Sequence, residues 1–225
     1  MKNPWQPFHE AVALNVGEVH IVLMSVSHSK SVLAHYQSLL SEAEWCRQTH
    51  PHFIVARGAL RALLGHYLQC APQALCFEYT EKGKPILKNY DLHFNVSHAH
   101  EKIIFIFSKE SAVGVDIEYT QRVVNYLKIA KRFFSPSEFQ FLASQKKADL
   151  PKLFFTLWTC KEAYVKARGE GVSAFGEFAV DIASELPCVQ DNRQKLALLS
   201  LGSSYQGAYA VHHAGEFQTK FFRLF

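Results

Sequence analysis

The chain has no long apolar run. Its unbroken hydrophobic stretches, such as Ile103 to Phe107, are of strand size, far short of the roughly 20 residues a membrane-spanning helix needs. The opening Met1-Lys2-Asn3-Pro4-Trp5 contains no signal-peptide core. Cysteine is sparse. Cys46, Cys70, Cys76, Cys160 and Cys188 are odd in number, widely spaced and form no C-x-x-C pair, which argues against a disulfide framework or a zinc site and for a reducing compartment. We therefore expect a cytoplasmic protein with no membrane association. Charge clusters are missing too: the net charge is +4, and its lysines and arginines are spread along the chain with no nucleic-acid-binding motif beside them. Nucleic acid is not an expected partner, and the mild basicity leans only slightly toward an acidic or phosphate-bearing one. Neither a repeat nor a low-complexity linker interrupts the sequence.

What is present suits a protein that folds alone. Of 225 residues, 48% are hydrophobic and 20% charged, an ordinary balance for a chain with a real core. Val19 to Val26 is rich in β-branched residues and reads as a buried strand. Ser41-Glu42-Ala43-Glu44 offers a capped helix start. After Pro51, apolar residues recur at helical spacing from Phe53 to Leu68, with Arg57 and Arg61 four apart on one face. Glu81 to Pro85 is a turn by composition, and Leu92 to Val96, Lys102 to Ser108 and Ala112 to Glu118 read as three strands close enough to be antiparallel neighbours. Helices are expected over Val123 to Arg132, from the cap-like Ser135-Pro136-Ser137-Glu138, and over Pro151 to Arg168, ended by Gly169 to Gly171. Phe178 to Ile182, Leu196 to Leu201, Ala208 to Val211 and Phe221 to Phe225 look like further strands. Helices and strands in separate runs predict an α+β fold.

Three segments carry candidate chemistry. In Ala112-Val113-Gly114-Val115-Asp116-Ile117-Glu118 the two-residue period of a strand puts Val113, Val115 and Ile117 on one face and Gly114, Asp116 and Glu118 on the other. Two carboxylates then share a face, the donor type preferred by hard divalent cations. An arbitrary D-x-E on a strand also fits a half-buried strand with its polar face in solvent. In Leu157 to Arg168 the helical period sets Glu162 and Lys166 on adjacent turns of one stripe, which by itself is an ordinary surface pair. Lys161 and Arg168 instead project from within an apolar arc, so they either snorkel past the core or face a cleft that holds an anion. In Leu92 to His98 a strand ends in Ser97 and His98 after the Gly83-Lys84-Pro85 turn, and loop residues of this kind are good phosphate ligands.

Taken in order, G-K-P, F-N-V-S-H, V-G-V-D-I-E, F-F-S-P-S-E and L-W-T-C-K-E-A-Y-V-K-A-R-G-E-G resemble the signature of the 4'-phosphopantetheinyl transferases of the monomeric, surfactin-synthetase-activating type. The match runs from about Gly83 to Gly171, and Ala56 to Arg61 resembles the family's arginine-bearing helix. The resemblance implies two similar pseudo-symmetric halves, here residues 1–112 and 113–225, with the active site in the cleft between them and the metal site on the second. It implies that Asp116, Glu118 and Glu162 hold magnesium with the pyrophosphate of coenzyme A, and that Lys166 neutralises that pyrophosphate. Lys84, Ser97 and His98 would contact the adenosine and its 3'-phosphate, with Arg57 a further ligand and Lys161 also on the coenzyme side. Between Ser41 and Arg57 the chain offers Arg47 as a full positive charge, where relatives are often richer in basic residues. The catalytic set is Glu162, Lys166 and Asp116. The base is Glu162 or a water on the metal. Expected partners are coenzyme A and acidic acyl or peptidyl carrier proteins, and the enzyme is expected to be a monomer. Two other functions share these residues: a metal-dependent hydrolase of coenzyme A or nucleotide pyrophosphate, and a non-catalytic coenzyme A-binding protein.

Overall fold

The structure, a computed structural model, describes residues 4–47, 50–182, 187–189, 194–212 and 215–225. Strands β1 (Gln6–Pro7) and β2 (Glu18–Ser25) precede helices α1 (Lys30–Gln37), α2 (Glu42–Arg47) and α3 (Pro51–Leu68). The short strands β3 (Phe77–Tyr79) and β4 (Pro85–Leu87) pair across the Gly83 turn, and β5 (His93–Ala99), β6 (Lys102–Ser108) and β7 (Ala112–Tyr119) follow. Next come α4 (Tyr126–Phe133), α5 (Pro136–Ala143) and α6 (Leu150–Arg168). The chain finishes with β8 (Val180–Asp181), β9 (Cys188–Val189), β10 (Gln194–Leu198), β11 (Tyr205–His212) and β12 (Gln218–Leu224). The class is α+β, as the sequence predicts. Local signals explain the boundaries: Ser135 and Glu138 form a reciprocal capping box at the start of α5, and Gly169 ends α6 in the left-handed region at φ 72°.

Two larger sheets organise the chain. One has the order β1-β12-β2-β6-β5 and the other β10-β11-β7. Strand alternation divides β2 and β6 between two cores. Val22, Met24, Ile103, Phe105 and Phe107 face α3, while Ile21, Leu23, Ile104 and Ile106 meet Val113, Val115 and Ile117 of β7 and Val211 of β11. Helix α6 covers the other face of the second sheet, burying Ala163, Val165 and Ala167 against Ala208 and Ala210. The result is a helix, sheet, sheet, helix stack. The chain enters the second sheet at β7. Strand β12 nevertheless returns to the first sheet, lying parallel to β1 and β2.

One strand expectation needs correction. β5 and β6 are antiparallel neighbours, but β7 leaves them to pair with β11. Its side nearest β5 is closed by side chains instead: the amide of Val115 donates to Asn95 Oδ1 (3.0 Å) and that of Ile117 to Ser97 Oγ (3.4 Å). These two side chains satisfy buried amides that a ladder would otherwise take. They also bring Ser97 to the carboxylate end of β7.

Candidate active site

Helix α6 lies directly on β7. A Cβ on Gly114 would sit 2.1 Å from the carbonyl oxygen of Ala163 and 2.5 Å from the amide nitrogen of Ala167, so only glycine lets the backbones approach this closely. Glu162 and Lys166, one turn apart, are thereby lowered onto the face that carries Asp116. Lys166 Nζ donates to Asp116 Oδ1 (2.6 Å), Ser97 Oγ (3.3 Å) and the Val115 carbonyl (3.4 Å), and stands 3.8 Å from Glu162 Oε2. Ser97 Oγ donates to the same Asp116 oxygen at 2.8 Å. Glu118 reaches the other way, to Arg122 at 2.8 Å.

The electrostatics are those of crowded, half-dry carboxylates. Burial pushes the Glu118 carboxyl up to about 7, with the Asp116 charge adding and Arg122 opposing. Burial also raises Glu162, against the pull of Lys166, and Asp116 raises it further. Desolvation works against the Lys166 ammonium, but the Asp116 and Glu162 charges outweigh it and hold its pKa above the ordinary value. Asp116 Oδ2 is buried with no hydrogen-bond partner. Such an atom is costly to leave unpaired.

These donors fit a hard divalent cation: they are all carboxylate oxygens, and one is an orphaned buried acceptor aimed at no protein group. Among the described residues, no three His, Cys, Asp or Glu side chains form a ready-made cage. Magnesium does not ask for one, since it usually takes one or two carboxylates and completes its shell with substrate phosphates and water.

The raised Glu118 carboxyl has a measurable consequence. A carboxyl whose folded pKa lies above its unfolded one stabilises the fold while protonated, and that contribution is lost as pH rises from about 4.5 through about 7. In EDTA, Glu118→Gln is therefore expected to raise the melting temperature at about pH 8 and to leave it unchanged near pH 4.5. Thermal melts at the two pH values check this, and an equal gain at both would contradict it.

Beside the carboxylates lies a pocket of about 530 Å³ whose lining includes Arg57, His52 and His98. Strand alternation on β5 sends His98 to this side and Ser97 to the carboxylates. Arg57 is anchored by Glu44 Oε1 (3.1 Å) and the Tyr79 hydroxyl (3.1 Å) and stacks over Phe77. Lys84 sits between the two regions. Its ammonium donates to the carbonyls of Lys166 (2.6 Å) and Val113 (3.2 Å), bracing α6 on β7, and burial followed by repulsion from Lys166 lowers its pKa to about 8. Ser97 thus stands at the acid site, His98 and Arg57 at the pocket, and Lys84 between them, held by backbone carbonyls.

Lys161 belongs to neither, which corrects its placement on the coenzyme side. Its side chain is fully buried, donating to Glu138 Oε1 (3.0 Å), Glu138 Oε2 (2.8 Å) and the Phe178 carbonyl (2.7 Å). Three acceptors take its three protons. Glu138 accepts in addition from the Ser135 and Val180 amides, so the capping box of α5, the centre of α6 and the approach to β8 are tied through one ion pair. Arg168 is exposed and pairs with Glu170 at 2.8 Å. It lines a cavity of about 810 Å³ with Tyr164 and Phe178, larger than the histidine pocket but lined by none of Asp116, Glu118, Glu162 and Lys166.

Asn95, Gly114 and His52 are site residues that sequence reasoning left without roles. A glycine inside a strand is itself a signal of close backbone approach, and the His50-Pro51-His52 run at a helix start was visible. No pattern announces that Asn95 would cap another sheet.

In this α+β protein the carboxylates of a strand face a helical Glu-x-x-x-Lys pair, next to a pocket lined by Arg57, His52 and His98. The family model for the 4'-phosphopantetheinyl transferase superfamily matches residues 112–221. The chain is 31% identical over 226 residues to the 4'-phosphopantetheinyl transferase HetI of Nostoc sp., covering 96% of this chain and 95% of that one. It is 35% identical over 115 residues to the 4'-phosphopantetheinyl transferase Sfp of Bacillus subtilis, covering 51% of this chain and 50% of Sfp. Thermotoga maritima holo-[acyl-carrier-protein] synthase aligns over 46% of this chain and 64% of its own, with 23% identity and a TM-score of 0.37. The chain belongs to the 4'-phosphopantetheinyl transferase family, and it is an enzyme of that kind.

Proposed function

We propose that this enzyme moves the 4'-phosphopantetheine group of coenzyme A onto a serine of an apo acyl or peptidyl carrier protein, releasing adenosine 3',5'-bisphosphate. The observation that carries the reading is the meeting of Asp116, Glu162 and Lys166 where α6 rests on Gly114. Asp116, Glu118 and Glu162 are the residues that would hold magnesium there, beside the coenzyme pyrophosphate. When bound, the ion would supply a Lewis acid that offsets charge on the pyrophosphate oxygens. Lys166, kept protonated by its carboxylate neighbours, stays in place to stabilise charge that builds as the serine attacks the phosphorus next to pantetheine. Glu162, its carboxyl raised by burial, is placed on the helix beside Lys166 to take the serine proton. His98 and Arg57 hold the adenosine end. Lys84 acts from behind, fixing the helix that carries Lys166.

Residues 1–112 and 113–225 form the two halves, each pairing a sheet with a long helix, α3 and α6, and the coenzyme lies in the cleft between them. The enzyme works as a cytoplasmic monomer. Among the described residues, no helix is long and apolar enough to cross a membrane.

The test is the intact mass of an apo carrier protein after incubation with the enzyme, coenzyme A and magnesium. One phosphopantetheine group should be gained, and EDTA should abolish the gain. Full activity in EDTA would sink the metal assignment. Carrier-independent release of adenosine bisphosphate, with the carrier unmodified, would point to the hydrolase.

A further inference from the structure

Each carboxylate of the acid site leans on a protein cation. Lys166 takes Asp116 at 2.6 Å and stands 3.8 Å from Glu162, while Lys84 is held by the carbonyls of Val113 and Lys166. Glu118 turns instead to Arg122, with its Oε2 2.8 Å from Nη2. The Arg122 side chain is 49% exposed and that of Glu118 18%. An ion pair so open to solvent does little for the fold.

Arg122 is nevertheless aimed. It lies in the link from β7 to α4, which is fastened on both sides. Before it, the Thr120 amide donates to the Ser204 carbonyl (3.0 Å), and the Tyr119 ring stacks on His100 (centroids 4.7 Å apart) and meets Tyr205 (5.3 Å). After it, Tyr126 donates its hydroxyl to the Arg122 carbonyl (3.3 Å) and packs its ring against Phe154 and Phe155. The guanidinium lies 5.4 Å from the centre of the Phe155 ring, so an aromatic face and Glu118 hold it from two directions. Because half of the side chain is open to solvent, it can leave without opening a core.

A carboxylate that neutralises a guanidinium is a poorer donor to a second cation, and the guanidinium repels a divalent ion placed beside it. The arrangement of the acids agrees. Asp116 Oδ2 is buried and unpartnered, yet among the described residues no three acidic or imidazole side chains converge on one point. Glu118 is engaged by Arg122 instead.

We propose that Arg122 is a positioning residue that holds Glu118 away from the divalent ion until the pyrophosphate arrives, so that the metal loads with coenzyme A rather than before it. The inference rests on the metal-dependent transferase reading. Removing the guanidinium frees Glu118 and takes away a repulsive charge, which favours ion uptake by the site without coenzyme A. Pyrophosphate offers the released guanidinium another anion, so the gain is smaller once coenzyme A is bound.

Manganese titration of the full chain, read by electron paramagnetic resonance at about pH 8, tests this, since the Glu118 carboxyl, raised to about 7, is then largely ionised. Without coenzyme A, Arg122→Gln should bind manganese on the order of three- to tenfold more tightly than wild type. With coenzyme A the difference should shrink to less than about twofold. In a Glu118→Gln background the same substitution should change uptake by less than about twofold, because the contact it breaks is already gone. An unchanged affinity in Arg122→Gln without coenzyme A overturns the inference. So does an equal gain in the Glu118→Gln background, which would show charge repulsion alone. A weaker affinity overturns it too and makes Arg122 an outer partner that supports Glu118 as a ligand. If wild type takes up one manganese per chain with coenzyme A and Arg122→Gln matches wild type without it, only this inference fails; if wild type takes up none in either state, the metal reading fails with it.

Discussion

Glu162→Gln is expected to transfer phosphopantetheine about 10²–10⁴-fold more slowly than wild type, the usual cost of losing a general base, and to stay slow at saturating magnesium and coenzyme A. The reason lies in where the carboxylates stand. Asp116 and Glu118 come from one rigid strand, and Glu118 already has Arg122 at 2.8 Å. Glu162 comes from the helix that carries Lys166 and has its pKa raised by burial. A magnesium ligand is partly replaceable, because the ion keeps several waters in any case. Glu118→Gln should therefore recover substantially as magnesium is raised. Single-turnover rates across a magnesium series compare the two variants. If Glu162→Gln recovers as fully as Glu118→Gln, Glu162 is only a ligand and the serine proton leaves by another route.

Lys161→Met is expected to destabilise the enzyme by about 3–5 kcal/mol, because it leaves the Glu138 carboxylate buried without its cation. For a chain of this size that corresponds to a fall in melting temperature of roughly 6–20 °C. Glu138→Gln should do the same by stranding Lys161. A double replacement by apolar residues of similar volume should regain much of the loss, since removing both charges removes the desolvation cost as well. Affinity for coenzyme A, measured where Lys161→Met remains folded, should match wild type. A large loss of coenzyme affinity with an unchanged melting curve would return Lys161 to the binding site.

The fate of Lys161 shows where the sequence stops being informative. Helical spacing correctly placed it inside an apolar arc, but periodicity gives a face and not a partner. The partner, Glu138, is 23 residues away and belongs to another helix. By contrast, Asp116 and Glu118 were legible because strand alternation fixes a side chain's face, and α6 does cover that face. The α+β class and the long helices followed from period and caps. The separation of β7 from β6 did not, because the rule that sequential strands pair is a tendency and the side chains of Asn95 and Ser97 replace the ladder here. Helix α1 was missed because, among its eight residues, only Tyr36 is buried, which leaves little apolar periodicity to read. The histidine pocket was invisible for the same reason as the ion pair: its rings come from distant segments.

The carboxylates of β7 and α6, together with the pyrophosphate of coenzyme A, are proposed to hold one divalent ion. Electron paramagnetic resonance of manganese titrated into the enzyme measures this directly, with the free-ion signal reporting what remains unbound. One ion per chain should be taken up when coenzyme A is present, with weak uptake in its absence, and Asp116→Asn should abolish the coenzyme-dependent part. Uptake that is undiminished in Asp116→Asn, or that ignores coenzyme A altogether, would contradict the account.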